Sequence, residues 1–139
     1  MAIHIDGASS GNPGPAGAGI LIRDARGRLL RQEALPLGTA TNNQAEYLAL
    51  LLALRHLVAL GNPRAVLYTD SELLYNQLTG RYRVRAENLR PLHLLATAYL
   101  KTLKVEVRWV PREENREADR LARAALRKKG GRRPWNASP

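Results

Sequence analysis

Hydrophobic and polar positions in the first third of the chain predict three β-strands. Within residues 2–6, apolar side chains alternate with polar ones, as in a strand that has two different faces. Residues 7–15 are rich in glycine and proline, and we predict an irregular loop that ends this strand. Residues 18–23 and 29–37 flank the polar turn 24–27 and are predicted to form an antiparallel hairpin.

The middle of the chain predicts a long buried helix, a strand and a short helix. Thr41 and Gln44 have the spacing of a capping box, and residues 45–60 are strong helix formers that are apolar on nearly every side. A short apolar strand over 65–69 and a helix over 71–78 follow.

The last part of the chain predicts two more helices around one strand. An arginine-rich connection over 80–86 precedes a helix that starts near Asn88, and residues 105–109 alternate as the final strand. The closing helix presents an alanine and leucine face. This order predicts one α/β domain over 1–127, with a mixed sheet covered by helices, and a basic, mobile tail over 128–139.

Composition favours a nucleic-acid partner. The chain has 139 residues, with 22 Lys and Arg against 12 Asp and Glu, and its formal net charge of +10 favours a polyanion. It has no cysteine, which excludes disulfides, thiolate metal sites and cysteine nucleophiles. No apolar run approaches the length of a membrane span and no leader segment is evident. We expect a cytoplasmic monomer with no membrane partner.

Four acidic residues stand at positions that ordinary surface charges rarely occupy. Asp6 and Asp70 end apolar strands, Glu46 lies in the first turn of the apolar helix, and Asp119 lies in the last helix. Ligands commonly bind at such strand ends, so we expect the four carboxylates to converge. Each also has a structural alternative: a cap for the first two, a charge on the helix dipole for the third, and an ion pair with a neighbouring helical arginine for the fourth.

A cluster of carboxylates suits a hard divalent cation. Without cysteine and with few histidines, such a set favours Mg²⁺ or Mn²⁺ over zinc. Two such ions about 3.5–4 Å apart can support phosphodiester hydrolysis without a covalent nucleophile. The three histidines, His4, His56 and His93, are interpreted as structural or solvent-facing. The glycine-rich segment lacks the lysine and hydroxyl residue of a P-loop, which argues against an NTPase.

Five short motifs, in this order within residues 1–127, resemble those of ribonuclease H, type 1. They are Ile5-Asp6-Gly7-Ala8-Ser9, Gly11-Asn12-Pro13-Gly14-Pro15, Thr41-Asn42-Asn43-Gln44-Ala45-Glu46, Thr69-Asp70-Ser71 and Asn115-Arg116-Glu117-Ala118-Asp119. The resemblance implies a ribonuclease H-like fold, in which helices cover both faces of a five-stranded mixed sheet of order 3-2-1-4-5. It also implies an endonuclease that cuts the RNA strand of RNA/DNA hybrids with two divalent metal ions, leaving 5′-phosphate and 3′-hydroxyl ends.

The same resemblance implies roles for individual residues. Asp6, Glu46, Asp70 and Asp119 match the catalytic, metal-binding carboxylates, with Asp6 contacting both ions. Glu46 would also contact the RNA 2′-hydroxyl, the group that distinguishes RNA from DNA. Substrate contacts are expected from five polar residues in or beside the motifs: Asn12, Thr41, Asn43, Gln44 and Ser71.

The chain departs from many relatives in two places. The connection before the last carboxylate is short and lacks a histidine, which is typical of a short-loop subgroup. We hypothesise that Glu113, or secondarily Glu114, takes the histidine's role; the alternative is an exposed loop charge. A basic, tryptophan-containing helix is also missing, and Arg81, Arg83 and Arg85 are expected to form a smaller phosphate-binding patch.

Two other functions stay open. Short-loop relatives sometimes cut double-stranded RNA, which is therefore a second candidate substrate. A noncatalytic hybrid-binding module is the third hypothesis, although four intact carboxylates would repel nucleic acid unless metals neutralised them. The basic tail is expected to add nonspecific affinity for nucleic acid.

Overall fold

The computed structural model describes residues 1–127; residues 128–139, which include the predicted tail, lie outside the described part. The helices and strands are β1 (Ala2–Ser9), β2 (Gly14–Arg23), β3 (Leu29–Ala40), α1 (Asn42–Ala59), β4 (Ala65–Thr69), α2 (Glu72–Leu78), α3 (Arg90–Thr102), β5 (Val105–Trp109) and α4 (Arg116–Ala125). A 3₁₀ turn at Arg112–Glu114 joins β5 to α4 and was not predicted from the sequence.

The five strands form one mixed sheet in the order β3-β2-β1-β4-β5. β1, β2 and β3 are antiparallel neighbours, whereas β4 is parallel to β1, and β5 is parallel to β4. The two parallel pairs require crossover connections, which the helices supply. The predicted fold class and strand order are confirmed.

The glycine- and proline-rich segment 7–15 is more regular than predicted. β1 continues to Ser9 and β2 begins at Gly14, so the prediction of a loop over the whole segment is wrong at both ends. The β1–β2 ladder ends where Ser9 pairs with Ala16. Pro13 and Pro15 lie beyond the last β1–β2 pair, so this ladder requires no backbone N–H from them, although Pro15 pairs with Thr39 of β3.

β1 extends further than β4 at the end of the sheet where their carboxyl termini lie. The last β1–β4 pair is His4 with Tyr68, and β4 ends at Thr69. Asp6 therefore follows the end of the parallel ladder but does not end its strand, contrary to prediction, because pairing with β2 alone carries β1 onward. The sheet is open on the β4 side of residues 6–9.

Helices cover both faces of the sheet. A Cβ atom added at Gly7 would lie 2.2 Å from the Ala45 carbonyl carbon of α1, and one added at Gly19 would lie 2.1 Å from the Ala118 oxygen of α4. Asp6 pairs with Gly19, and neighbouring strand residues point to opposite faces. Gly7 therefore faces α1, whereas the Asp6 side chain points to the α4 face.

The main core lies between the sheet and α1. Eight of the 18 residues of α1 are buried, all of them between Ala45 and Leu57, so the helix is less buried than its nearly uniform apolar composition predicts. α3 and its two caps bury one apolar side, at Leu89, Leu92, Ala96 and Leu103. Within residues 1–127, no helix combines the length and the apolar character that a membrane crossing demands.

α1 begins where the capping box predicts. Thr41 is the N-cap and forms the predicted capping box with Gln44, which starts the helix at Asn42. Glu46 therefore lies beyond the first turn, and the prediction that it is a first-turn charge is wrong. The interaction of Glu46 with the helix dipole is correspondingly weaker, because that effect falls off within the first turn.

Candidate active site

Three of the four predicted carboxylates converge where β1 passes the end of β4. One oxygen from each of Asp6, Glu46 and Asp70 lies within 4.8 Å of the other two. Asp6 comes from the α4 face of β1, Glu46 comes from α1, and Asp70 directly follows β4. The opening in the sheet beside residues 6–9 allows side chains from both of its faces to meet.

Glu46 is held by the backbone of β1. Its Oε1 accepts a hydrogen bond of 2.7 Å from the Gly7 N–H. The Cβ position at Gly7 lies against the Ala45–Glu46 backbone, so only glycine permits this approach of helix to strand. The hydrogen bond places the Glu46 carboxylate beside the residue that follows Asp6.

Burial and mutual repulsion raise the pKa values of the cluster. Burial, followed by the charges of Glu46 and Asp70, raises the pKa of Asp6 to about 10. Burial and the Asp70 charge raise the pKa of Glu46 to about 8, against the opposing effect of the Gly7 hydrogen bond. The pKa of Asp70 is also raised by burial. The metal-free cluster therefore retains protons that most carboxyl groups lose near pH 4.

Asp119 lies at the rim of the same cleft, outside the three-residue cluster. It contributes to the raised pKa of Asp6 through a hydrogen bond and through its charge. Both Asp119 oxygens also accept hydrogen bonds of 3.1 Å from Arg123 Nε. The helical ion pair that was the structural alternative for Asp119 is therefore present, with Arg123. Asp119 forms this pair and also lines the cleft.

Two residues that the sequence analysis did not assign to the site hold Asp70. Trp109 Nε1 donates to the Asp70 carbonyl oxygen at 3.1 Å. Asn115 Nδ2 donates to Asp70 Oδ2 at 3.1 Å and to the Ile5 carbonyl oxygen at 2.8 Å. Asn115 belongs to one of the quoted motifs, so its position was visible in the sequence, whereas its hydrogen bonds were not.

The cleft has a volume of about 360 Å³ and also contains basic groups. Arg112, in the 3₁₀ turn, lines it together with the carboxylates and Arg123. Its charge acts to lower the pKa values of Glu46 and Asp70, against the effect of burial. Arg112 was not predicted to belong to the site, because only folding brings this turn to the end of β4.

Asn12 connects the β1–β2 turn to the beginning of α1. Its Oδ1 accepts a 3.0 Å hydrogen bond from the Asn42 N–H, and Asn42 Oδ1 accepts one of the same length from the Ser9 N–H. Ser9 and Asn42 line the carboxylate cleft. Asn12 therefore belongs to the segment that borders the site.

Thr41, Asn43 and Gln44 lie at the beginning of α1. Thr41 Oγ1 accepts from the Gln44 N–H at 3.1 Å, and Gln44 Oε1 accepts from the Thr41 N–H at 2.9 Å, so both side chains have a structural role. Asn43 is exposed in the first turn. Their expected contacts with substrate stay predictions.

The remaining predicted substrate residues lie further along the chain. Ser71, next to Asp70, is the N-cap of α2, and its Oγ accepts from the Leu74 N–H at 3.1 Å. Arg81, Arg83 and Arg85 are exposed in the connection between α2 and α3. Their expected binding to phosphates stays a prediction.

Glu113 is exposed in the 3₁₀ turn. It lines a depression that adjoins the cleft and includes Asp119, but it is not among the residues that line the carboxylate cleft itself. Its hypothesised role in place of a histidine stays a prediction.

The donor set fits hard divalent cations. It offers carboxylate oxygens from Asp6, Glu46 and Asp70, with Asp119 beside them, and the chain has no cysteine to supply a softer ligand. A cation would offset the repulsion that raises these carboxyl pKa values. The residues present therefore match what such an ion requires.

Known proteins are similar to this chain in sequence and in fold. A family model described as reverse transcriptase-like matches residues 4–125. Ribonuclease HI of Halobacterium salinarum is 39% identical over 124 residues, which cover 88% of this chain and 62% of that protein. A bifunctional protein of Mycobacterium tuberculosis is 39% identical over 128 residues, or 91% of this chain; the chain spans about a third of that relative, 35% of its length.

Solved structures of RNase H1 proteins are similar to the structure of this chain. The crystal structure of RNase H1 from Halobacterium salinarum matches with a TM-score of 0.86 at 38% identity, covering 90% of this chain and 96% of that one. LC11-RNase H1, solved in complex with an RNA/DNA hybrid, matches with a TM-score of 0.84 at 34% identity, covering 90% and 95% of the two chains. Sequence, strand order and acidic cluster together show that the chain belongs to the type 1 ribonuclease H family.

Proposed function

We propose that this chain is an endoribonuclease that hydrolyses the RNA strand of RNA/DNA hybrids with two divalent metal ions, Mg²⁺ or Mn²⁺. The observation that carries the proposal is the convergence of Asp6, Glu46 and Asp70 within 4.8 Å in an open cleft. The family supports the choice of substrate, since the related LC11-RNase H1 was solved with an RNA/DNA hybrid.

Asp6, Glu46, Asp70 and Asp119 are the residues that would hold the metal ions. When bound, such ions activate water and stabilise the attacking and leaving oxygens of a phosphodiester. The Gly7 N–H holds Glu46 Oε1 by a hydrogen bond. The other oxygen, Oε2, would therefore bind a metal ion or the RNA 2′-hydroxyl. Hydrolysis forms a bond from the water oxygen to phosphorus and breaks the P–O3′ bond, which gives 5′-phosphate and 3′-hydroxyl products.

The substrate surface is proposed to include the beginning of α1 and the basic connection after α2. Asn12, Asn43 and Gln44 would face the RNA side of the minor groove, with Thr41 and Ser71 near backbone phosphates. Asn12 is joined to the cleft through Asn42, which lines it together with Ser9, and Thr41 and Asn43 are the chain neighbours of Asn42. The exposed residues Arg81, Arg83 and Arg85 would add phosphate contacts.

The proposal is tested by cleavage of an end-labelled RNA/DNA hybrid in Mg²⁺ or Mn²⁺. Asp70→Asn removes one metal ligand and is expected to lower kcat/KM by more than about 100-fold, since even groups that only support ligands cost 10–100-fold when they are removed. Glu106→Gln is the matched control, because Glu106 is an exposed carboxylate at the opposite end of the sheet, beside Met1. It should cleave as wild type does.

Substrate controls separate the remaining alternatives. RNA/RNA, DNA/DNA and single-stranded RNA are assayed beside the hybrid, and cutting of RNA/RNA would add double-stranded RNA to the substrates. Hybrid binding without metal and without cutting would contradict the proposal and favour a noncatalytic module. A Glu113→Gln variant with full turnover would exclude a catalytic role for Glu113.

The proposal includes a monomeric enzyme in the cytoplasm. Sedimentation of the purified chain tests the monomer, and fractionation of the source cells tests the location.

A further inference from the structure

Asn115 is a buried polar residue at the junction of three segments that carry acidic residues. Its side chain is only 2% exposed. Its Nδ2 donates to the carbonyl oxygen of Ile5, which directly precedes Asp6, and to Asp70 Oδ2. The backbone carbonyl oxygen of Asn115 accepts a hydrogen bond from the Asp119 N–H in the first turn of α4. Asn115 therefore contacts the residue before Asp6, the carboxylate of Asp70 and the backbone of Asp119.

The two donated hydrogen bonds determine the orientation of the amide. Both partners of Nδ2 are acceptors, so a flipped amide would place Oδ1 against two other oxygens. In the observed orientation Oδ1 is buried with no hydrogen-bond partner among residues 1–127. An unpaired buried carbonyl costs about 1–3 kcal/mol. The two hydrogen bonds donated to Ile5 and Asp70 offset that cost.

The backbone of Asp70 is anchored separately from its side chain. Trp109 Nε1 donates to the Asp70 carbonyl oxygen, which holds the backbone at the end of β4. Within the described residues, the Asp70 carboxylate accepts one hydrogen bond, and Asn115 donates it. Without it, the carboxylate could rotate while its backbone stayed in place.

We propose that Asn115 is a positioning residue that sets the spacing of the metal-binding carboxylates, by orienting Asp70 with one N–H and holding the β1 backbone before Asp6 with the other. This inference deepens the proposed function and rests on it. Asn115 does not touch substrate or metal in this role; it acts through Asp70 and Asp6. Residues that orient metal ligands in this way commonly change metal affinity or activity by 10–100-fold when they are replaced.

The test uses two substitutions in the full chain. Asn115→Leu keeps a branched side chain of similar size, removes both donors and also removes the unpaired carbonyl, so it separates hydrogen bonding from packing. Asn115→Ala is the second variant, in case leucine prevents folding. Gln77→Ala is the matched control, because Gln77 is a buried amide that accepts a 2.6 Å hydrogen bond from Tyr47 and lies outside the cleft.

Two readouts distinguish positioning from general stability. Mn²⁺ binding without substrate, followed by electron paramagnetic resonance, should weaken about 10–100-fold in the Asn115 variants. At saturating Mn²⁺, their kcat on the hybrid should fall while KM for the hybrid stays within about twofold. The Gln77 control should lose stability but keep wild-type Mn²⁺ affinity and kcat.

Failure of this inference is distinguishable from failure of the proposed function. If wild type cuts the hybrid and the Asn115 variants bind Mn²⁺ as wild type does, the positioning role is overturned alone. If wild type binds Mn²⁺ but cuts nothing, the proposed function is overturned, while weaker binding by the variants still supports the role of Asn115. A wild-type chain that does not bind Mn²⁺ overturns both.

Discussion

At the scale of single residues, the surroundings of the Asp6 and Glu46 carboxyl groups favour their protonated forms in the metal-free chain. Burial and neighbouring charges raise the pKa of Asp6 to about 10 and that of Glu46 to about 8. In the unfolded chain both groups have ordinary carboxyl pKa values near 4. These two groups therefore bind more protons in the folded, metal-free chain than in the unfolded chain over a wide pH range.

We predict that these two groups contribute less to the stability of the metal-free protein as the pH rises. Because the folded-state pKa values are raised, the stabilisation is complete below about pH 4 and is lost as the pH rises through the folded values. In EDTA, the free energy of unfolding, measured by urea denaturation, should carry a falling contribution from these groups between about pH 5 and pH 9. Mg²⁺ should oppose the loss, since it binds the deprotonated carboxylates of the folded state.

The control for this prediction is Asp6→Asn, which removes one carboxylate and keeps the shape of the side chain. Its unfolding free energy should depend less steeply on pH than that of wild type. Glu106→Gln, at the other end of the sheet, should retain the wild-type dependence. Parallel pH profiles for wild type and Asp6→Asn would show that the buried cluster does not control the stability.

At the scale of elements, the site depends on how closely α1 approaches β1. The strand has no side chain at Gly7, and an added Cβ would lie 2.2–2.4 Å from backbone atoms of Ala45 and Glu46. Backbone atoms cannot move aside as the end of a flexible side chain can. The approach also allows the Gly7 N–H to reach Glu46 Oε1.

We predict that Gly7→Ala separates the helix from the strand and damages both stability and catalysis. Overpacking of this kind costs about 1–3 kcal/mol or more, and urea unfolding should show a loss of that size. Cleavage of the hybrid should fall further than stability alone explains, because Glu46 moves with α1.

Gly27→Asn serves as the comparison for the glycine substitution. Gly27 has a φ of +82° in the β2–β3 turn, and nothing lies within 4 Å of its Cβ position. Asparagine tolerates that backbone conformation, so stability and activity should change little. Equal behaviour of the two variants would contradict the importance of close packing at Gly7.

The sequence predicted whether most segments form a helix or a strand better than it predicted the residues at which those elements begin and end. Alternation and apolar stripes identify a strand or helix because they report which side is buried. The end of β1 depends instead on pairing with β2 beyond Asp6, which local composition does not encode. The beginning of α1 was one element end that the sequence did contain, through the capping box of Thr41 and Gln44.

At the scale of the whole molecule, the positive charge of the chain is unevenly distributed along the sequence. Residues 128–139 contain four basic residues and no acidic one, so their removal lowers the formal net charge from +10 to +6. The four carboxylates and the cleft all lie within residues 1–127. The positive charge of residues 128–139 can therefore be separated from the carboxylate cleft experimentally.

We predict that a chain ending at Arg127 still cuts the hybrid at low salt but binds it less tightly. For every phosphate that the shortened chain no longer neutralises, the slope of log affinity against log salt should become less negative by about 0.9 for a B-form duplex, and by a similar order for a hybrid. Binding titrations from low to physiological salt measure the slope. An unchanged slope would show that the four basic residues of 128–139 do not bind the nucleic acid, and loss of folding would contradict the predicted domain boundary.

The sequence by itself determined the fold class, the net charge and the identity of the four carboxylates. Periodicity identifies buried faces, and the order of the motifs identifies the family. Only the tertiary structure decided that Asp6, Glu46 and Asp70 meet within 4.8 Å, that Asp119 lies beside them paired with Arg123, and that Asn115 and Arg112 belong to the same site. The physical reason is that these interactions join residues far apart in the chain. Their distances follow from strand pairing and from the packing of helices on the sheet, which local sequence patterns do not contain.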